Sequence, residues 1–224
     1  MSGWGKPPGE ESEDARLKTF QRSGEALFTG GLNNSHSGNL SVRVDNAMWI
    51  TRTRTMCHKL DRDDVVVAAL DGGGDRSELS REAIVHETVY RETGHDAVVH
   101  CHPRDAIAAA FLFDNIPCLQ IEGQGALKGM LPVIEVEIAS ASPQLSDAVA
   151  RSLLLYPAVM VRGHGLFAAG SSLDQATHRA FVANETAFFY LMAKRHGADI
   201  DDLMSRPYIR IPYGTSPANS EKPA

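Results

Sequence analysis

The feature that most limits what this chain can fold into is the exchange of two hydrophobic periods along its length. Residues 39–50 alternate apolar and polar side chains, and residues 64–70, 96–102 and 158–161 are short apolar runs bounded by Gly, Asp or Pro. Runs of that length read as strands, whose side chains point to opposite faces in turn. Between them the apolar spacing becomes helical. Leu17, Phe20, Ala26 and Leu27 precede Gly30-Gly31, and Ala83, Ile84, Val89 and Tyr90 precede Gly94, with Ser80 placed to cap the second helix. Glycine pairs end helices because they adopt the left-handed cap at little cost, and a serine hydroxyl satisfies the free amides at a helix start.

Asp45-Asn46 predicts a hairpin turn inside 39–50. Further strands are predicted over 116–121 and 131–136, separated by a Gly-rich stretch, and over 166–169 after a Gly-His-Gly turn; helices are predicted over 103–110, 142–154 and 174–196. Interleaved helices and strands with several tight turns predict the α/β class, a three-layer αβα arrangement around a central mixed, largely antiparallel sheet. The 224 residues suit one domain. Residues 1–14 and 214–224, which mix Gly, Pro, Ser and acidic residues without periodicity, are expected to be flexible ends of a body spanning 15–213.

Charge narrows the partners. With 22 basic and 28 acidic residues the formal net charge is −6, which gives no general attraction to nucleic acid or anionic lipid, so any bound anion must be held locally. No apolar run reaches the ~20 residues of a membrane span, and the N-terminal residues lack the pattern of a secretory signal. A cytoplasmic location follows as the expectation, with Cys57, Cys101 and Cys118 reduced, since three widely spaced cysteines suit neither a disulfide framework nor a Cys-type zinc site.

His100 and His102 stand two apart at a predicted strand end, so both imidazoles point to one face and can converge on one ion while Cys101 points away. His164 sits at another strand end between Gly163 and Gly165, which leave room for close approach. Three imidazoles leave a coordination position open, as a catalytic ion requires. Taken singly, each has a plain alternative: histidines decorating a strand end, or a turn bonded to itself. Glu82, at the start of the helix before the His-X-His strand, can reach such an ion or serve only as a charge favoured by the helix dipole. His86, one helical turn on, reads as a positioning or core histidine.

The ordered strings GLNNSHSGNLSVR (31–43), TRTR (51–54), LSREAIVHETVYR (79–91), AVVHCH (97–102) and VRGHGLFAAG (161–170) resemble the class II aldolase/adducin family. That family includes sugar-phosphate aldolases, a sugar-phosphate epimerase, a dehydratase and some decarboxylases. The resemblance implies a class II aldolase-like αβα fold, often a homotetramer with sites at subunit interfaces. It also implies one divalent metal per subunit on His100, His102 and His164, zinc first and manganese, cobalt or iron as alternatives. The ion polarises a carbonyl or enediolate oxygen, and Glu82 is the acid/base. Asn39, Ser41, Thr53, Arg54, Ser80 and Arg81 form the expected substrate-binding set for a small anionic substrate.

The pattern departs from the sugar-phosphate aldolases in places. Arg54 stands for a glycine, Arg81 for a serine and His36 for a usual threonine, and two guanidiniums in a phosphate nest suit a carboxylate as well as a phosphate. Ile121, beside Glu122, falls where fuculose-type enzymes place a proton-donating tyrosine, which leaves Tyr208 or Tyr213 as substitutes, with Tyr213 the named candidate. The resulting expectation is a metal-dependent carbon–carbon lyase that cleaves a sugar-phosphate-like substrate by aldol chemistry. Decarboxylation of a hydroxylated aromatic acid is the alternative, followed by an epimerase or dehydratase and by a non-catalytic adducin-like interaction domain.

Overall fold

The computed structural model describes residue 4 and residues 6–70, 73 and 75–206. The first helix, α1 (Glu13–Thr29), is capped by the Ser12 hydroxyl and ends at Gly30. The hairpin β1 (Asn39–Val44) and β2 (Ala47–Thr51) follows, then β3 (Val65–Ala69), α2 (Ala83–Glu92), β4 (Ala97–Cys101), α3 (Arg104–Leu112) and β5 (Asn115–Pro117). The chain continues through α4 (Ile121–Ala126), β6 (Met130–Ile134), α5 (Pro143–Leu155), β7 (Ala158–Val161), β8 (Leu166–Gly170), α6 (Leu173–Arg195) and α7 (Ile200–Ser205). One eight-stranded sheet results, ordered β3-β2-β1-β4-β8-β7-β6-β5. Its pairs are antiparallel except β6 with β7, which run parallel.

Strand alternation sorts the core into two layers. Ala97, Val99 and Cys101 of β4 pack with Phe20 and Leu27 of α1 and with the alanines of α3 and α6. Val98 faces the opposite layer, where Val85 and Val89 of α2 and Leu145 and Val149 of α5 cover Phe167. Full burial of a side chain such as Leu, Val or Phe is worth about 1.5–3 kcal/mol, so each layer is a strong constraint on register. Along α6 the fully buried Ala176, Ala180, Ala183 and Ala187 form a small-residue stripe that lets a 23-residue helix lie close on the sheet. No described helix is long and apolar enough to cross a membrane.

Two expectations change. The strand predicted over 116–121 stops at Pro117, and the Gly-rich stretch after it winds into α4. Glycines disfavour helix locally, but tertiary contacts prevail here: a β-carbon at Gly123 would lie 2.7 Å from Cβ of Cys118, and Gln120 donates to the Thr186 hydroxyl at 2.8 Å. Ser80 does not cap α2 as expected; the N-cap position is taken by Glu82, two residues further on. In the described part of the N-terminal segment Arg16 donates to the carbonyls of Pro8 at 2.7 Å and Glu11 at 3.0 Å. The predicted tail 214–224 lies outside the described residues.

Candidate active site

His100 faces the α2/α5 layer because it follows Val98 by two positions on β4, and its ring stacks on Phe167 with centroids 4.2 Å apart. Its Nδ1–H donates to the Leu166 carbonyl at 2.9 Å, which leaves Nε2 bare and able to bind a cation. His102 comes just after the strand; its amide donates to the Leu32 carbonyl at 2.8 Å and to Oδ1 of Asn33 at 3.1 Å. The β7–β8 turn carries His164, with Gly163 at φ +72 and a bond of 2.8 Å from the Val161 amide to the Gly165 carbonyl closing it.

Ligand nitrogens of the three histidines lie within 4.8 Å of one another, and Nε2 of His100 is 3.1 Å from Nε2 of His102. Two bare imidazole nitrogens so close repel unless a proton or a cation lies between them, and the spacing is within reach of two ligands each about 2.1 Å from one ion. Nδ1 of His164 is buried without a partner. Burial pushes His100 well below the usual imidazole range and His102 down to about 4, with the neighbouring His164 adding to both. Burial also lowers His164, against an opposing pull from Glu82. Neutral imidazoles are the form that binds a metal, so the donor set fits a divalent ion.

Glu82 is the N-cap residue of α2 and only 5% exposed. Its Oε1 accepts from the Ser140 hydroxyl at 2.7 Å and its Oε2 from the Ala141 amide at 3.2 Å; Oε1 is also 3.8 Å from Nε2 of His164. The cleft in front of these groups, about 320 Å³, is lined by His36, Asn39, Thr53, Arg54, Ser80 and Arg81 together with Glu82 and the three histidines. Asn39 pairs with His100 across the β1–β4 ladder, and its Oδ1 is buried with no partner in the protein.

Ser41, expected among the substrate-binding residues, does not line this cleft. Two positions further along β1 it lies fully inside the α2 layer, where its hydroxyl contacts Nδ1 of His86 at 2.6 Å and the Tyr90 hydroxyl at 2.5 Å. His86 is accordingly a core residue. Tyr213 and Tyr208 lie outside the described residues. Ile121 opens α4 and is 49% exposed. Ser140, absent from the sequence expectations, lines the cleft. Its neighbour Ser142 announces itself as a helix cap, but nothing local to Ser140 signals a carboxylate 58 positions away.

The model of the Class II Aldolase and Adducin N-terminal domain matches residues 19–191. The chain is 29% identical to an L-fuculose phosphate aldolase of Haemophilus influenzae over 82% of its own length and 85% of that protein. It is 25% identical to a 3,4-dihydroxyphthalate decarboxylase of Arthrobacter keyseri, over 81% of this chain and 80% of the other. The crystal structure of L-fuculose-1-phosphate aldolase from Thermus thermophilus superposes with a TM-score of 0.76 at 35% identity, covering 83% of this chain and 98% of that one. Matched over most of its length in sequence and in fold, the chain belongs to the class II aldolase/adducin family.

Proposed function

We propose that this protein is a divalent-metal-dependent carbon–carbon lyase that cleaves a small anionic, sugar-phosphate-like substrate by aldol chemistry. The observation that carries the reading is the convergence of three neutral imidazoles and a buried carboxylate on one open cleft. Those are the donors and the base that such a cleavage needs, and an aldolase of this family is among the similar proteins. His100, His102 and His164 would hold the ion, zinc first, with manganese, cobalt or iron acceptable to the same donors. When bound, it would supply a positive charge where negative charge develops on the substrate oxygen.

The chain's own groups do the rest. Glu82, oriented by Ser140 and Ala141, takes the proton of the substrate hydroxyl at a carboxylate oxygen as the carbon–carbon bond breaks. The electron pair of that bond moves toward the carbonyl, and Glu82 returns a proton to carbon. Asn39, Thr53 and Ser80 offer neutral hydrogen bonds along the cleft. Tyr213 is kept as the candidate in place of the fuculose-type tyrosine, hydrogen-bonding to the oxygen that becomes the aldehyde carbonyl, for which Tyr213→Phe is the direct test. We place the protein in the cytoplasm as a homotetramer. Exposed Phe111 and Leu112 at the end of α3 and exposed Leu154 and Leu155 on α5 support self-association, to be measured by light scattering.

Decarboxylation of a hydroxylated aromatic acid is the second reading. The guanidiniums of Arg54 and Arg81 in the cleft favour it, as does similarity to a decarboxylase of a dihydroxylated phthalate. Metal-reconstituted protein is incubated with ketose phosphates and with hydroxylated aromatic carboxylates while aldehyde and carbon dioxide are read in parallel. Aldehyde release alone supports the aldolase, carbon dioxide release alone the decarboxylase. Release of neither overturns both.

A further inference from the structure

The two histidines of the His-X-His pair are mounted differently. His100 lies inside β4, where it pairs with Asn39 on one side and Phe167 on the other. His102 lies one residue past the end of that strand. Its amide is bonded instead by residues that follow α1, the Leu32 carbonyl at 2.8 Å and Oδ1 of Asn33 at 3.1 Å. A backbone amide can only donate, so the oxygen of the Asn33 carboxamide is the atom turned toward His102. Asn33 is 6% exposed, and its own amide donates to the Leu27 carbonyl at 3.2 Å, which seats it on the last turn of α1.

The same oxygen holds a second segment. Ser37 donates its hydroxyl to Oδ1 of Asn33 at 3.3 Å and accepts the Asn34 amide at 2.8 Å. The loop closes on the carboxamide at Gly38, φ +77, where a β-carbon would lie 2.5 Å from Nδ2 of Asn33 and 2.5 Å from the His100 carbonyl oxygen. His36, Ser37 and Gly38 of this loop line the cleft. One buried oxygen is thus shared between the backbone of a candidate metal ligand and a wall of the cleft, so a shift of either disturbs the acceptor of the other. Nδ2 of Asn33 is buried with no partner among the described residues, so the position uses the acceptor of its side chain and not the donor.

We propose that Asn33 is a positioning residue that orients His102 toward the ion and transmits ion binding to residues 34–38, so that this wall of the cleft is ordered when the ion is in place. The role rests on the three-histidine metal site of the proposed function, but its test needs no turnover. Zinc affinity of the full chain is measured by chelator competition, the visible spectrum is recorded after cobalt loading, and deuterium uptake of residues 33–38 is followed with and without zinc. In the parent, zinc slows uptake in that segment. Asn33→Leu, close in shape but without an acceptor, binds zinc about tenfold to a hundredfold more weakly, the usual cost of removing a group that supports a ligand. It also shifts the cobalt spectrum, and at saturating zinc the uptake of its segment stays unprotected. Asn33→Asp keeps the acceptor and recovers affinity, spectrum and protection. Asn34→Ala, whose lost side chain bonds the His36 amide and not the ligand, binds zinc as the parent does. Should Asn33→Leu fail to fold, Ser37→Ala carries the test, since it leaves the His102 bonds in place and so keeps zinc affinity while losing the protection. Unchanged zinc affinity in Asn33→Leu, no recovery in Asn33→Asp, protection that survives in Asn33→Leu or Ser37→Ala, an equal loss in Asn34→Ala, or a parent segment indifferent to zinc overturns the role and leaves the lyase standing. A parent that binds no divalent ion overturns the metal site and this role with it, whereas a loaded chain that cleaves nothing can still show Asn33 at work.

Discussion

The Ser140 hydroxyl donates to Oε1 of Glu82 at 2.7 Å, joining the β6–α5 connection to the cap of α2. The next residue, Ala141, takes φ +48 and donates its amide to the other carboxylate oxygen. Both oxygens of a nearly buried carboxylate are thereby fixed in direction, and the loop that fixes them is as much part of the site as the helix that bears the acid.

Replacing Ser140 by alanine leaves fold and metal content intact and lowers turnover about tenfold, because a hydrogen bond to a charged group is worth roughly 1.5–3 kcal/mol. Steady-state kinetics against metal content per chain checks this. A variant that turns over as the parent does would make the Ser140 contact incidental.

His102→Ala loses bound metal and activity together, since one of the three converging nitrogens is gone. Glu82→Gln keeps the fold and most of the metal, because an amide oxygen still accepts from Ser140, but loses turnover for want of a base. Elemental analysis beside the assay separates the two. Activity surviving in Glu82→Gln removes that residue from the mechanism.

Gly165→Ala cannot be accommodated quietly. A β-carbon there would lie 2.6 Å from Cδ2 of His102, 2.7 Å from the Cys101 carbonyl oxygen and 3.0 Å from Cε1 of His100. The expected result is a metal-poor protein with a lower melting temperature, read by elemental analysis and calorimetry. Gly31→Ala serves as the contrast: its added carbon meets nothing within 4 Å, so only its positive φ is penalised and metal binding persists.

Metal-free protein loses stability on acidification. Burial lowers the pKa of His86 from 6.5 to about 3, so between those values the unfolded chain binds a proton that the folded chain refuses. Stability therefore rises with pH across that window, by about 1.4 kcal/mol per unit for one such group. In His86→Asn, whose side-chain amide can still meet Ser41, the slope of unfolding free energy against pH falls by about one proton. An unchanged slope would show that His86 is charged or solvated in the fold.

Most of the fold was legible because its signals are local. The β1–β2 hairpin declares itself by alternation around Asp45-Asn46, and α1 by the apolar stripe ending at Gly30. The helix over 121–126 was not legible, since Gly123 is there to fit against Cys118 and not to favour a helix. The same division runs through the site. His100 and His102 were readable from strand periodicity, whereas the place of Ser41 depends on which face of β1 meets His86 and Tyr90. That face is set by pairing with β4, which no neighbour of Ser41 in the sequence reports. Ser140 was hidden for the same reason.

The cleft is built in two tiers. Its floor hangs from strand ends and a glycine-clamped turn, where neighbouring atoms leave no slack around His100 and Gly165. Its rim is a pair of tethered turns whose side chains, Arg54 and Arg81, touch nothing that the floor depends on. Descendants of such a chain can exchange rim residues and acquire a new substrate while the reactive centre is inherited unchanged, so diversification here proceeds by editing the doorway and leaving the hearth alone.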